Sequence, residues 1–188
     1  MRKPDVHPRS FAIVSHPALP EAAAEASLIG ESLLSGGADQ AAAASIYDET
    51  LRERIQAKEF ELVVAVGGDG TMLRAGHLCA PLGLPVLGIN AGRFGFLMEV
   101  ALGDFNKFLP QLLSGDFQLE DRMMLEACHL RGEEKLGRWQ VLNEVVVCRG
   151  QQVRPIQVEA CVDGSALTSY VADGLIAAIE VYRQLQGI

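Results

Sequence analysis

No stretch of this chain approaches the ~18 consecutive apolar residues that a membrane-spanning helix requires. The early apolar run, Phe11-Ala12-Ile13-Val14, is also too short for the core of a signal peptide. The expectation is a cytoplasmic protein with no membrane partner. Cysteines are few: Cys79, Cys128, Cys148 and Cys161 show neither Cys-x-x-Cys spacing nor nearby histidines. That argues against zinc and against a disulfide framework, and predicts four reduced, mostly buried thiols. Positive charge is scarce too, with 16 Lys and Arg against 24 Asp and Glu and a net charge of −8. Broad, non-specific binding to nucleic acid is therefore not expected, although one local basic pocket for phosphate is still allowed. Internal repeats and low-complexity linkers are lacking.

What the chain does have is apolar material for a real core, 49% of its 188 residues, and nineteen glycines. Over the first ~115 residues, strand-like and helix-like patterns alternate. Short β-type runs are read at Ser10–Ser15, Ala44–Tyr47, Leu62–Val66 and Pro85–Asn90, and helices at Pro20–Leu34, Asp48–Lys58, Thr71–Cys79 and Phe105–Leu113. Leu62–Val66 is wholly apolar, as a strand covered by helices on both faces must be. This alternation predicts an α/β, Rossmann-like domain with a parallel sheet over residues 1–118. From 119 to 188 the pattern is all-β, with strands read at Phe117–Leu130, Trp139–Cys148, Ile156–Val162 and Leu167–Ile176 and a hairpin turn at Asp163-Gly164.

The strongest local signal is Gly67-Gly68-Asp69-Gly70 at the end of the buried strand. Ligands in such folds sit beyond the carboxyl ends of the strands. Successive glycines let backbone N–H groups approach a phosphate, and the N-terminus of the following helix faces it with partial positive charge. A carboxylate in that position repels an anion, so Asp69 reads better as a proton acceptor or an indirect Mg²⁺ anchor than as phosphate lining. The plainer alternative is a glycine turn in which Asp69 caps the next helix. The loop is neither a Gly-x-Gly-x-x-Gly fingerprint nor a Walker loop.

With its threonine, Gly67-Gly68-Asp69-Gly70-Thr71 resembles the loop shared by NAD kinases, diacylglycerol kinases and phosphofructokinases. Three further stretches resemble the NAD kinase family in particular. They are Gly88-Ile89-Asn90-Ala91-Gly92-Arg93-Phe94-Gly95-Phe96-Leu97, Leu142-Asn143-Glu144-Val145-Val146 and Ala172-Asp173-Gly174-Leu175-Ile176. The four occur in family order from about residue 62 to 178. The resemblance implies transfer of the ATP γ-phosphate to the 2′-hydroxyl of the adenosine ribose of NAD, with a divalent metal (Mg²⁺) accompanying the nucleotide. It implies Asp69 as the proton acceptor, Gly68 and Gly70 as backbone packed against nucleotide, and Phe96 as lining of the adenine pocket. Asn143 and Glu144 would hydrogen-bond NAD, and Asp173 would bind the second nucleotide end across a subunit boundary. Arg74 and Arg154 would pair with phosphate. No metal-ligating set is assigned, and a homo-oligomer, dimer or tetramer, is implied for the full-length form.

Each assignment has a plainer rival. Arg74 and Arg154 can be solvated surface residues, Phe96 plain core, and Asn143 and Glu144 turn residues ahead of Val145–Val147. His77 and His129 read as structural. After Ala178 the sequence departs from the family pattern, which continues with a Thr-Pro-Thr-Gly-Ser loop and a longer β domain. Residues 179–188 fit none of it, and a one-base shift in the codons for Tyr182-Arg183-Gln184 could restore Thr-Gly-Ser. The expectation is a chain that stops inside its β domain and has little or no kinase activity. Two other functions stay in play: a related lipid or sugar kinase, and a non-catalytic nucleotide-binding module.

Overall fold

A computed structural model of the protein describes residues 7–91, 97–149 and 155–178. The chain divides into two compact units between Arg122 and Met123.

In the first unit, β1 (Ser10–Ser15), α1 (Pro20–Ser35), β2 (Gln40–Ser45), α2 (Glu49–Gln56), β3 (Leu62–Gly67), α3 (Asp69–Cys79), β4 (Val86–Asn90), β5 (Val100–Ala101) and α4 (Phe105–Leu113) follow in turn. All five strands run parallel, in the order β2-β1-β3-β4-β5. The two-residue period of a strand decides which helices cover which face. Phe11 and Ile13 of β1, with Leu62, Val64 and Val66 of β3, pack with Ile29 and Leu33 of α1 and with Phe105 and Leu112 of α4. The intervening Ala12, Val14, Val63 and Ala65 pack with Leu51 and Ile55 of α2 and Ala75 and Leu78 of α3. Both sheet faces are therefore buried, which is why β3 carries no polar residue. The Rossmann-like reading holds.

Local chemistry sets several boundaries. Asp48 accepts the Leu51 N–H at 2.7 Å and so caps α2. Glu61 receives both the Arg9 and Ser10 amide N–H groups, at 2.6 and 3.1 Å, which ties the start of β1 to the start of β3. Gly83, at φ 68°, closes the short 3-10 turn over Ala80–Leu82 in a left-handed conformation that glycine adopts without cost.

Some bounds differ from the sequence reading. β2 lies at Gln40–Ser45 rather than Ala44–Tyr47, because its alanines pair with β1 without the β-branched residues that advertise a strand. α3 begins two residues earlier than expected, since Gly68 is already extended and serves as its N-cap.

The second unit consists, among the described residues, of three separate two-stranded antiparallel ribbons. β6 (Leu125–Arg131) pairs with β7 (Glu134–Val141), β8 (Glu144–Cys148) with β11 (Gly174–Ala178), and β9 (Ile156–Val162) with β10 (Ser165–Ala172). The run expected as one strand at Trp139–Cys148 is broken at Leu142-Asn143, and the run at Leu167–Ile176 is broken at Asp173. Only the last part of Phe117–Leu130 is a strand. Asp163 (φ 50°) and Gly164 (φ 78°) form the hairpin turn that their sequence predicts.

The thiols correct another expectation. Only Cys79 is buried, while Cys128, Cys148 and Cys161 are exposed, because ribbons with one uncovered face leave those positions open. Burial pushes the Cys79 thiol from its ordinary 9.0 up to about 12. A thiol-specific reagent at pH 8 should therefore label three cysteines in the native chain and a fourth only in urea; mass spectrometry counts the adducts. Because the folded state holds this proton more tightly than the unfolded chain, the stability it contributes is complete below pH 9. It is lost progressively as pH rises toward 12.

Candidate active site

The strand order reverses between β1 and β3: the chain leaves β1 toward β2 on one side and continues through β3 toward β4 on the other. In open α/β sheets with this order, the loops at such a switch point diverge and leave a crevice at the carboxyl ends of the strands. Here that crevice has a volume of about 290 Å³. Its walls are His16, Ala18 and Leu19 after β1, and Gly68, Gly70, Thr71 and Arg74 after β3. Drug-sized ligand pockets start near ~300 Å³, so the space suits a polyphosphate arm better than a whole dinucleotide.

The glycines of the loop are there for different reasons. A side chain on Gly67 would place Cβ 2.4 Å from the Thr71 hydroxyl oxygen, and Thr71 is buried beneath the loop. Packing alone therefore demands glycine at 67. Gly68 is otherwise: its backbone is extended (φ −114°, ψ −174°) and a Cβ there would meet nothing within 4 Å. Neither strain nor crowding requires glycine at 68, and what a side chain would fill is the crevice itself. Gly70 is similar, with only the Arg74 guanidinium at 3.4 Å from its would-be Cβ. The backbone at 68–70, half-buried at Gly68 and Asp69 and exposed at Gly70, opens α3, and a helix N-terminus is where an anion is favoured.

Asp69 is the first residue of α3, and the N-cap position belongs to Gly68. Its Oδ1 accepts the Leu97 N–H at 3.1 Å, which fixes the half-buried carboxylate between the β3–α3 turn and the segment after β4. The end of β4 is tied to the same turn: the Ala91 N–H donates to the Gly67 carbonyl at 2.8 Å, and buried Asn90 pairs in register with Gly67. Arg74, one turn along α3, donates to the Gly70 carbonyl at 3.0 Å. Its guanidinium also lies over the Tyr47 ring, 5.6 Å from the centroid. His16 meets the same ring edge-on at 6.4 Å. Neither His16 nor Tyr47 stands out in the sequence, because each sits in a loop with no motif spacing; the expected end of β2 at Tyr47 was the nearest signal.

The structure thus brings together Gly68, Asp69, Gly70 and Arg74. Asn143, half-buried, and Glu144, exposed, stand at one end of the β8–β11 ribbon, where Glu144 pairs with Ala178. Asp173, also exposed, precedes Gly174, which pairs with Cys148 at the other end. At about 3.4 Å per residue the two ends lie roughly 15–20 Å apart, so Asp173 and the Asn-Glu pair do not share one contact point within a chain. Phe96, Arg154 and the segment 179–188 lie outside the described residues. Among the described residues no three His, Cys, Asp or Glu side chains gather into a metal cage. A Mg²⁺ ion that arrives on phosphate oxygens and keeps its waters needs no such cage.

A parallel α/β sheet with a Gly-Gly-Asp-Gly turn at its switch point places the chain in the doubly wound α/β class, whose ligand crevices lie beyond the carboxyl ends of the strands. The family model for the ATP-NAD kinase N-terminal domain matches residues 18–117, and the chain belongs to the ATP-NAD kinase family. It is similar to the NAD kinase of Heliobacterium modesticaldum, with 44% identity over 128 residues, 68% of this chain and 44% of that protein. To the NAD kinase of Natranaerobius thermophilus it is 41% identical over 116 residues, 62% of this chain and 41% of that one. A crystal structure of yeast NADH kinase complexed with NADH shares the fold, with a TM-score of 0.72 and 19% identity over 93% of this chain and 58% of that one. The matches span about two fifths of the length of these bacterial relatives.

Proposed function

We infer that this chain carries the catalytic loop of an NAD kinase, which transfers the ATP γ-phosphate to the 2′-hydroxyl of the adenosine ribose of NAD. One observation carries the reading: the crevice is lined by Gly68 and Gly70, where a Cβ at 68 would meet only open space, and the carboxylate between them, Asp69, is held by the Leu97 N–H. In the reaction the ribose oxygen forms a bond to the γ-phosphorus as the bond to the β–γ bridging oxygen breaks. The hydroxyl proton passes to Asp69, and ADP leaves. Gly68, Gly70 and the first N–H groups of α3 receive phosphate, and Arg74 balances its charge. The divalent ion that accompanies ATP supplies charge neutralisation on the phosphates.

Asn143 offers a donor and an acceptor to the bound NAD and Glu144 a pure acceptor, while Asp173 serves the far end of a second nucleotide from the opposite end of its ribbon. That separation favours an oligomer in which a neighbouring copy presents Asp173. Phe96 and Arg154 keep the adenine-lining and phosphate-pairing roles that the family resemblance implies, and the setting is the nucleotide pool of the cytoplasm. Apolar residues such as Val146, Leu167, Val171 and Ile176 are exposed on the ribbons. Calorimetric titration with Mg·ATP tests the reading directly. Binding that survives Asp69→Asn and weakens in Arg74→Ala is the expected pattern; a chain indifferent to ATP in every form sinks it.

A further inference from the structure

The His16–Tyr47–Arg74 cluster belongs to no motif, yet it joins three separate elements at the crevice: the loop after β1, the loop after β2, and α3. The Ala18 N–H donates to His16 Nδ1 at 3.2 Å. An Nδ1 that accepts a hydrogen bond carries no proton, so the neutral ring keeps its proton on Nε2 and has a donor there. His16 lines the crevice opposite the Gly68–Gly70 backbone. Tyr47 touches both of its neighbours through its ring, edge-to-face with His16 and under the Arg74 cation. One of Arg74's five donors is spent on the Gly70 carbonyl, which leaves others for an anion.

We propose that His16 is a donor-nucleotide-binding residue, giving its Nε2–H to a phosphate oxygen of the bound polyphosphate, and that Tyr47 is a positioning residue that aims both His16 and Arg74 into the crevice. This rests on the crevice being the phosphate site described above. It assigns the wall contributed by β1, which the glycine motif leaves unassigned. The ring of Tyr47 does the positioning, so its hydroxyl is dispensable.

Titration calorimetry on the full 188-residue chain, with Mg·ATP and with inorganic tripolyphosphate, reads this out. His16→Ala should weaken both ligands about tenfold, the loss expected for one hydrogen bond to a charged group. His16→Gln, which keeps a side-chain N–H donor, should recover part of that affinity and guards against a folding defect. Tyr47→Phe should bind as the unmodified chain does, and Tyr47→Ala should weaken both ligands with an unchanged melting temperature. His129→Ala, which removes a histidine from the other unit, should have no effect. Equal affinity in His16→Ala and the unmodified chain overturns the inference and leaves the phosphate site standing. An unmodified chain that binds neither probe overturns the phosphate site, and this inference with it.

Discussion

Replacing Asp69 by Asn is expected to lower NADP formation by about 10²–10⁴-fold, the usual worth of a positioned proton acceptor. The amide keeps the shape of the side chain and can still receive the Leu97 N–H through its oxygen, so the β3–α3 turn should survive. What it loses is the capacity to take a proton from the ribose hydroxyl. ATP affinity should hold or rise, because a negative charge beside the phosphates has gone. A suitable vehicle is a chimera that keeps residues 1–122 of this chain and continues with the remainder of the Heliobacterium modesticaldum relative, assayed by enzymatic detection of NADP. Turnover that is unaltered in the Asn variant would show that Asp69 serves only to tie the turn to Leu97.

The second large effect concerns stability. Phe11→Ala should cost about 3–5 kcal/mol, since the ring is wholly buried between β1 and the helices α1 and α4 and its loss leaves a cavity. Native domains are typically stable by only ~5–15 kcal/mol, so a large share of the folded margin goes with one side chain. For a unit of this size the melting temperature should fall by about 10–20 °C. Urea melts followed by far-ultraviolet circular dichroism would measure it. A loss below about 1 kcal/mol would mean that the face shared with α1 is not the tightly packed core described here.

The contrast between legible and hidden features follows from the physics of each. β1, β9 and α4 fall where their sequences put them, since Ser10–Ser15 is a short apolar run, Ile156–Val162 ends at a turn of Asp163-Gly164, and Phe105–Leu113 has helical spacing. β5 was missed because two residues are too few to show any period. The breaks at Leu142-Asn143 and at Asp173 were hidden by flanking apolar residues that read as continuous strand. Those two breaks fall on the very motifs that resemble family signatures, so local chemistry overrode the strand pattern where polar groups are presented. At the crevice, the Gly-Gly-Asp-Gly turn was legible from its order alone. His16 and Tyr47 were not, because their significance comes from the parallel topology that brings the ends of β1 and β2 beside α3.

The paired ribbons beyond Arg122 carry a kinetic consequence. A lone two-stranded ribbon is marginal in water, whereas β1 and β3 are sealed inside the five-stranded sheet. Opening should therefore be graded along the chain, with amide protons of the strands β6 to β11 exchanging in deuterated buffer long before those of β1 and β3. Limited proteolysis would trim the same region first and spare a fragment that still holds every wall of the crevice, from His16 to Arg74.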